Sequence, residues 1–169
     1  MVKRLALAGL ALLIVFTFAC KKKEEAPPAG MPGEPGGGVV VPPVAPEVSV
    51  PEDVKAKWSA VVLTVQDKTS GKSQDAKINI GGEAAVPGTP LKIQVVEFLP
   101  DFRMEGERIT SASNELKQPA AYVRVFENGQ QLKNPQTGDG YWLFSLMPQI
   151  HPFQHEKYGI TLKEAIKKG

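Results

Sequence analysis

His151 and His155 are the only two imidazoles in this chain. They stand four residues apart in the run Met147-Pro148-Gln149-Ile150-His151-Pro152-Phe153-Gln154-His155. On a helix that spacing would bring both rings to one face, and the Met147 thioether nearby is a soft ligand suited to copper(I). Pro148 and Pro152 argue against such a helix. A zinc site takes at least three protein ligands, and no third one is identifiable. Glu156 adjoins His155, where an orienting carboxylate for acid–base work would be wanted, but adjacency in sequence is not geometry. His151, His155 and Met147 are therefore weak metal candidates, and the sequence predicts no metal, no cofactor and no catalytic residue.

Other routes to catalysis are equally bare. The chain has no Gly-x-Ser-x-Gly elbow and no His-Glu-x-x-His zinc helix. Gly71-Lys72-Ser73 has the ending of a phosphate-binding loop, but Gln66 stands where its first glycine belongs. Glu97, Asp101, Glu105 and Glu107 surround an apolar patch, Phe98-Leu99-Pro100-Asp101-Phe102, with no spacing that marks a catalytic pair. The expectation is a non-enzymatic protein.

Cys20 is the one thiol, so no disulfide can form within the chain. It follows Lys3-Arg4 and the apolar run Leu5 to Ala19, and precedes Lys21-Lys22-Lys23. A basic start, a short apolar stretch and a small residue before the cut make a secretory signal. A cysteine at that cut resembles the acceptor of a bacterial lipoprotein signal, which is lipidated on sulfur and becomes the first mature residue. Ala19 and Cys20 fit that pattern, while Thr17 and Phe18 replace its preferred Leu and small residue. Two alternatives remain open. The run is 15 residues against the roughly 20 of a spanning helix, which strains an uncleaved anchor. Thr17-Phe18-Ala19 also passes as a plain secretion site. Lys21, not Asp, follows the cysteine, so the lipoprotein resemblance implies an outer membrane, with the protein facing the periplasm.

Composition narrows the partners. The chain has 20 Lys and Arg against 18 Asp and Glu, for a formal charge of +2. Residues 1–19 hold Lys3, Arg4 and no acid, so the remainder is neutral. A nucleic-acid binder needs a basic stripe, and the only basic cluster is Lys21 to Lys23, much of it neutralised by Glu24 and Glu25. That cluster reads as a solvated tether or as a supplement to the lipid against anionic headgroups. The expected partners are the membrane, through lipid on Cys20, and another envelope protein. Nucleic acid is not among them.

The elements that must position these residues lie in one domain. The reading divides the chain into a signal at 1–19, a lipidated start with a disordered Pro/Gly-rich linker at 20–52, and a β domain at 53–169. Pro27, Pro28, Pro32, Pro42 and Pro43 alternate with Gly30, Gly33 and Gly36 to Gly38, so the linker should stay extended. It would reach about 100 Å as polyproline or about 30 Å as a coil. Val39-Val40-Val41 is too short for a core element. Strands are expected at Trp58–Val65, Ala76–Ile80, Leu91–Phe98, Ala121–Phe126 and Tyr141–Leu146. Tyr122, Arg124 and Phe126 would share one face of their strand, and Val123 and Val125 the other. Asn128-Gly129 predicts a type I′ hairpin with Gln130–Lys133 returning. Thr161 and Glu164 allow a helix capping box, but a final strand is favoured. The fold class is mainly β: a single small antiparallel barrel or sandwich. Tyr141, Trp142, Phe144, Phe153 and Tyr158 serve either as core or as a recognition surface, on which Trp142, Phe144, His151, His155 and Tyr158 would be the binding residues.

Two resemblances follow from these residues. Asp67-Lys-Thr-Ser-Gly71, Gly140-Tyr-Trp-Leu-Phe-Ser-Leu-Met-Pro148 and His155-Glu-Lys-Tyr158 resemble the bacterial exported family called domain of unknown function 2155. Tyr141 intervenes before the Trp, Gln154 precedes His155 where the family has Glu, and the family's cysteine pair is missing, so no disulfide is carried over. Val95-Val-Glu-Phe-Leu-Pro-Asp-Phe102, Thr110 to Glu115, Pro119-Ala-Ala, Val125 to Gly129, Trp142 to Phe144 and Pro148 to His151 are similar to the periplasmic β portion of ResB-type cytochrome c biogenesis proteins. The first implies an exported β module. The second implies a binding or scaffold domain and, by analogy, a metal or haem-pathway accessory role using His151 and His155.

Overall fold

A computed structural model describes residues 46–169. The signal, Cys20 and the linker up to residue 45 lie outside the described residues. Regular structure starts within the stretch read as linker, with β1 (Glu47–Val48). Its backbone is held on both sides of the pair: the Glu47 N–H donates to the Glu107 carbonyl at 2.9 Å and the Ser49 N–H to the Ile109 carbonyl at 2.8 Å. One turn and a half of helix, α1 (Glu52–Lys57), follows Pro51. Glu52 and Asp53 sit in its first turn and Lys55 and Lys57 in its last, complementing the helix dipole, and Val54 is its buried anchor. The strand patterning that dominates this chain gave no reason to expect a helix there. Its signal is charge order over six residues, too short for a 3.6-residue period to register.

The remaining elements are strands: β2 (Trp58–Asp67), β3 (Ser73–Asn79), β4 (Glu83–Ala85), β5 (Leu91–Leu99), β6 (Phe102–Glu105), β7 (Arg108–Ser111), β8 (Ala120–Glu127), β9 (Gln130–Leu132), β10 (Tyr141–Phe144) and β11 (Tyr158–Lys167). All five expected strands form, and the tail is a strand, with Thr161 paired to Thr64 and Glu164 to Val62 instead of capping a helix. Asn128 and Gly129 both take positive φ, 51° and 84°, as a type I′ turn requires, and Glu127 pairs with Gln130 across it.

Three sheets result. One runs β11-β2-β3 and a second β10-β8-β5-β4, with β9 also on β8; both are antiparallel. The third, β1-β7-β6, contains the one parallel strand pair among the described residues, β1 with β7. β2 is central in its sheet, and its run of buried residues from Ala60 to Leu63 is the β-branched, two-sided pattern of a covered strand. The closed barrel admitted by the sequence does not form among the described residues. β10 ends after four residues, and Pro148 and Pro152 lie between it and β11, where the missing N–H groups cannot continue a ladder.

The first two sheets instead bury their facing side chains in one core. Val61, Leu63 and Val65 from β2 meet Ile93, Val95 and Phe98 from β5, Val123 and Val125 from β8, and Tyr158, Ile160 and Leu162 from β11. In β5 the alternation changes phase: the pairing with β8 shifts between Val95 and Glu97. The extra residue, Val96, is a bulge that turns Phe98 inward and leaves Glu97 half-buried at the edge. Phe98, 1% exposed, then packs edge-on against Trp58 with ring centroids 5.3 Å apart. Among the described residues the buried members of this core run from Val54 to Leu162, with Val50 and Ala165 packed against them.

Candidate functional site

β10 shows how one strand serves two purposes. Tyr141 and Leu143 point into the core, and the alternate residues, Trp142 and Phe144, face outward. The aromatic stretch is thus both core and surface. Outside, Phe102 from β6 packs edge-on against both, with centroids 5.1 Å from Trp142 and 5.0 Å from Phe144. Tyr122, opposite Trp142 on β8, lies against it at 5.1 Å. Ile109, Met104, Met147, Ile150 and His151 complete an apolar groove of about 430 Å³. Met104 is 61% exposed, Ile150 44% and the neighbouring Leu146 64%. Large apolar side chains clustered at that exposure on one face are the ordinary mark of an interaction surface.

Two polar clusters brace this groove. Below Trp142, Asp139 accepts hydrogen bonds from Arg124 Nε (3.2 Å) and Nη2 (3.0 Å), Gln131 Nε2 (2.8 Å) and Tyr122 Oη (2.8 Å). These donors, Arg124 foremost, hold its carboxyl down at about 2. The Gly140 N–H donates back to Tyr122 Oη at 3.0 Å. A Cβ on Gly140 would lie 2.4 Å from the Val123 carbonyl oxygen, so only glycine lets the chain pass this close to β8. Beside Phe102, the buried Asp101 accepts from Ser113 Oγ at 2.9 Å, and its own N–H donates to Ser111 Oγ at 3.0 Å. Arg103 comes within 3.3 Å of its other oxygen, as an ionic contact without hydrogen-bond alignment. The pair fixes the start of β6, and with it the Phe102 ring.

The two histidines do not share a site. His151 sits at the groove, its Nδ1 3.3 Å from Gln136 Oε1 and its ring 6.3 Å from Phe144. His155 stacks between Phe153 at 5.8 Å and Tyr158 at 5.3 Å. Its Nδ1 accepts from the Lys157 and Tyr158 N–H groups, both at 3.1 Å, and its Nε2 lies 3.5 Å from Glu127. A ring whose Nδ1 closes its own turn is a structural histidine. The binding residues expected from the sequence thus separate: Trp142, Phe144, His151 and Met147 line the groove, and His155 and Tyr158 belong to a cluster at the core. Among the described residues no group of three His, Cys, Asp or Glu is gathered as a ligand set. Cys20 lies outside the described residues.

Phe102, Met104 and Ile109 line the groove without having been among its expected binding residues, and the bracing pair Tyr122 and Asp139 was not expected there either. Their signal was present in part: Phe102 and Met104 alternate on one side of Gly106, and Ile109 and Ser111 on the other, a short hairpin pattern. A larger cleft of about 540 Å³ lies at Lys55, Glu97 and Lys168. Burial raises the Glu97 carboxyl there, partly offset by Lys55. Its rings, Trp58 and Phe98, are buried in the core and none of the large exposed apolar side chains borders it, so the aromatic groove is the stronger candidate. No family model matches this chain, and no curated protein or solved structure does either.

Proposed function

We propose that this chain is a non-enzymatic, lipid-anchored protein of the cell envelope, facing the periplasm, whose β domain binds an extended, proline-containing apolar segment of another envelope protein. The similarities to domain of unknown function 2155 and to the ResB-type β portion belong to the same reading, since both imply an exported binding or scaffold module. One observation carries it: Phe102, Trp142 and Phe144 form a ring-lined groove with exposed Met104 and Ile150 at its margins. Side-chain amides of Gln118 and Gln136 border the same groove. A polyproline-type chain fits such a surface, because its rings pack on aromatic faces while its carbonyls, unpaired within the chain, accept from amide donors.

The anchor and the groove are tested in one strain. Labelled palmitate should enter the wild-type chain and not Cys20→Ser, which should leave the membrane fraction. A photo-cross-linking side chain at Ile150 should then join the wild-type protein to a proline-containing apolar peptide of an envelope protein, and Trp142→Ala should abolish the adduct. Adducts to lipid alone, or adducts that survive Trp142→Ala, would overturn the binding reading. Palmitate incorporation by Cys20→Ser would overturn the anchor.

A further inference from the structure

Met147 and His151 are one ligand short of a metal site in the sequence, and the fold brings a third to the same groove. Met104 leaves the same face of β6 as Phe102, two residues away, and lines the groove with Met147 and His151. At 61% exposure its thioether is not buried in the core. The Ile150 N–H donates to the Met147 carbonyl at 3.1 Å, closing a turn that carries His151 back toward Met147. Gln136 Oε1 lies 3.3 Å from His151 Nδ1. An amide oxygen only accepts, so Nδ1 carries the ring proton and Nε2 keeps its lone pair. This is how an outer partner sets the tautomer and orientation of a ligating histidine. His155 has no part in it, because its Nδ1 is taken by the Lys157 and Tyr158 N–H groups.

We propose that Met104 Sδ, Met147 Sδ and His151 Nε2 form a site for a soft monovalent metal ion, copper(I), beside the aromatic rings of the groove. Donor chemistry chooses the ion. Two thioethers and an imidazole are neutral ligands, soft to borderline, and suit copper(I). Zinc sites draw on thiolate and carboxylate as well as imidazole, and calcium and magnesium take oxygen ligands. No Asp, Glu or Cys among the described residues lines this groove. A neutral ligand set leaves the charge of the ion uncompensated, and the rings of Phe102, Trp142 and Phe144 attract a cation seated over their faces. Methionine has three rotatable bonds, so the exposed Met104 side chain is free to bring its sulfur onto an ion held by Met147 and His151. Binding transfers no electron, and neither a thioether nor the Nε2 lone pair has a proton to release. The site does not rest on the peptide-binding role proposed above.

The test uses the whole chain carrying Cys20→Ser, purified in detergent, so that no thiol competes for the ion. Copper(I) is supplied without oxygen, in competition with the chelator bicinchoninate. One ion per chain should bind, and X-ray absorption should show two sulfur neighbours and one nitrogen. Met104→Leu, Met147→Leu and His151→Ala should each weaken binding by at least about a hundredfold. Gln136→Leu, which removes only the partner that orients His151, should weaken it by about tenfold. Leu keeps the volume of Met, and His151 is exposed, so the fold should survive each change, as circular dichroism checks. Met31→Leu, outside the described residues, should leave the affinity as it was. Absence of bound copper(I), or an affinity that Met104→Leu leaves unchanged, would overturn the site. A shell of oxygen and nitrogen alone, or displacement of the copper(I) by equimolar zinc, would overturn the soft-ion assignment. Loss of binding with Met31→Leu would place the ion elsewhere and equally overturn it. The peptide reading is read separately, by cross-linking from Ile150 in metal-free protein, so either result stands without the other.

Discussion

Replacing Asp139 with Asn removes the charge beneath Trp142 while keeping the side chain's shape. In the folded protein this carboxyl sits at about 2 instead of 3.8, held there chiefly by Arg124, with Gln131 and Tyr122 assisting. At about 1.4 kcal/mol per pKa unit, that shift corresponds to at most about 2.5 kcal/mol of stabilisation. The side chain is 45% exposed, and solvent screening lowers the figure to about 1 kcal/mol. Because the folded value lies below the unfolded one, the stabilisation is complete above about pH 4 and is lost as the pH falls to about 2. Asp139→Asn should therefore unfold about 1 kcal/mol more easily at pH 7, a fall of about 4 °C in Tm for a domain of this size. The gap should shrink steadily between pH 4 and pH 2. Urea unfolding followed by circular dichroism at pH 7, 4, 3 and 2 measures it, and the gap at pH 2 should be a small fraction of that at pH 7, since about half of the folded carboxyls are protonated there. A gap that is flat across this range, or that widens in acid, would refute the electrostatic account of the clamp.

Gly140→Ala should destabilise the fold by about 1–3 kcal/mol, because the added Cβ meets the Val123 carbonyl at 2.4 Å and β10 must move from β8; thermal unfolding checks it, and an unchanged Tm would mean the strand yields without cost. Glu97→Gln should stabilise the protein at neutral pH. Burial raises the folded carboxyl above its unfolded value, so the group favours the fold while protonated and loses that contribution as the pH rises through the folded value. Unfolding curves of the two proteins should converge in acid and separate at pH 7, with the Gln protein the more stable.

Local pattern alone made much of this fold legible. Alternation along β8 separated Val123 and Val125 from Tyr122, Arg124 and Phe126 on opposite faces, and the structure buries the valine face. Asn128-Gly129 located its hairpin because two adjacent positive φ angles are a property of those residue types. The bulge at Val96 was not legible: an inserted residue costs the sequence nothing until a partner strand counts the register. The Gly140 requirement was equally hidden, since its close contact comes from a strand whose approach only the pairing defines.

The candidate site divides along the same line. The sequence by itself grouped Trp142, Phe144, His151, His155 and Tyr158 as one possible recognition surface, because they lie close together along the chain. It also identified Cys20 as the lone thiol of a signal-like segment and excluded an internal disulfide by count. It could not choose between core and surface for the aromatics, nor assign the histidines to one site or two. Only the tertiary structure decided that Tyr141, Phe153 and Tyr158 are core while Trp142 and Phe144 meet Phe102, from forty residues away along the chain, at an open groove. Alternation tells a strand that it has two faces; which face is covered depends on the sheets that pack against it, and those arrive from distant sequence through contacts that no local pattern encodes.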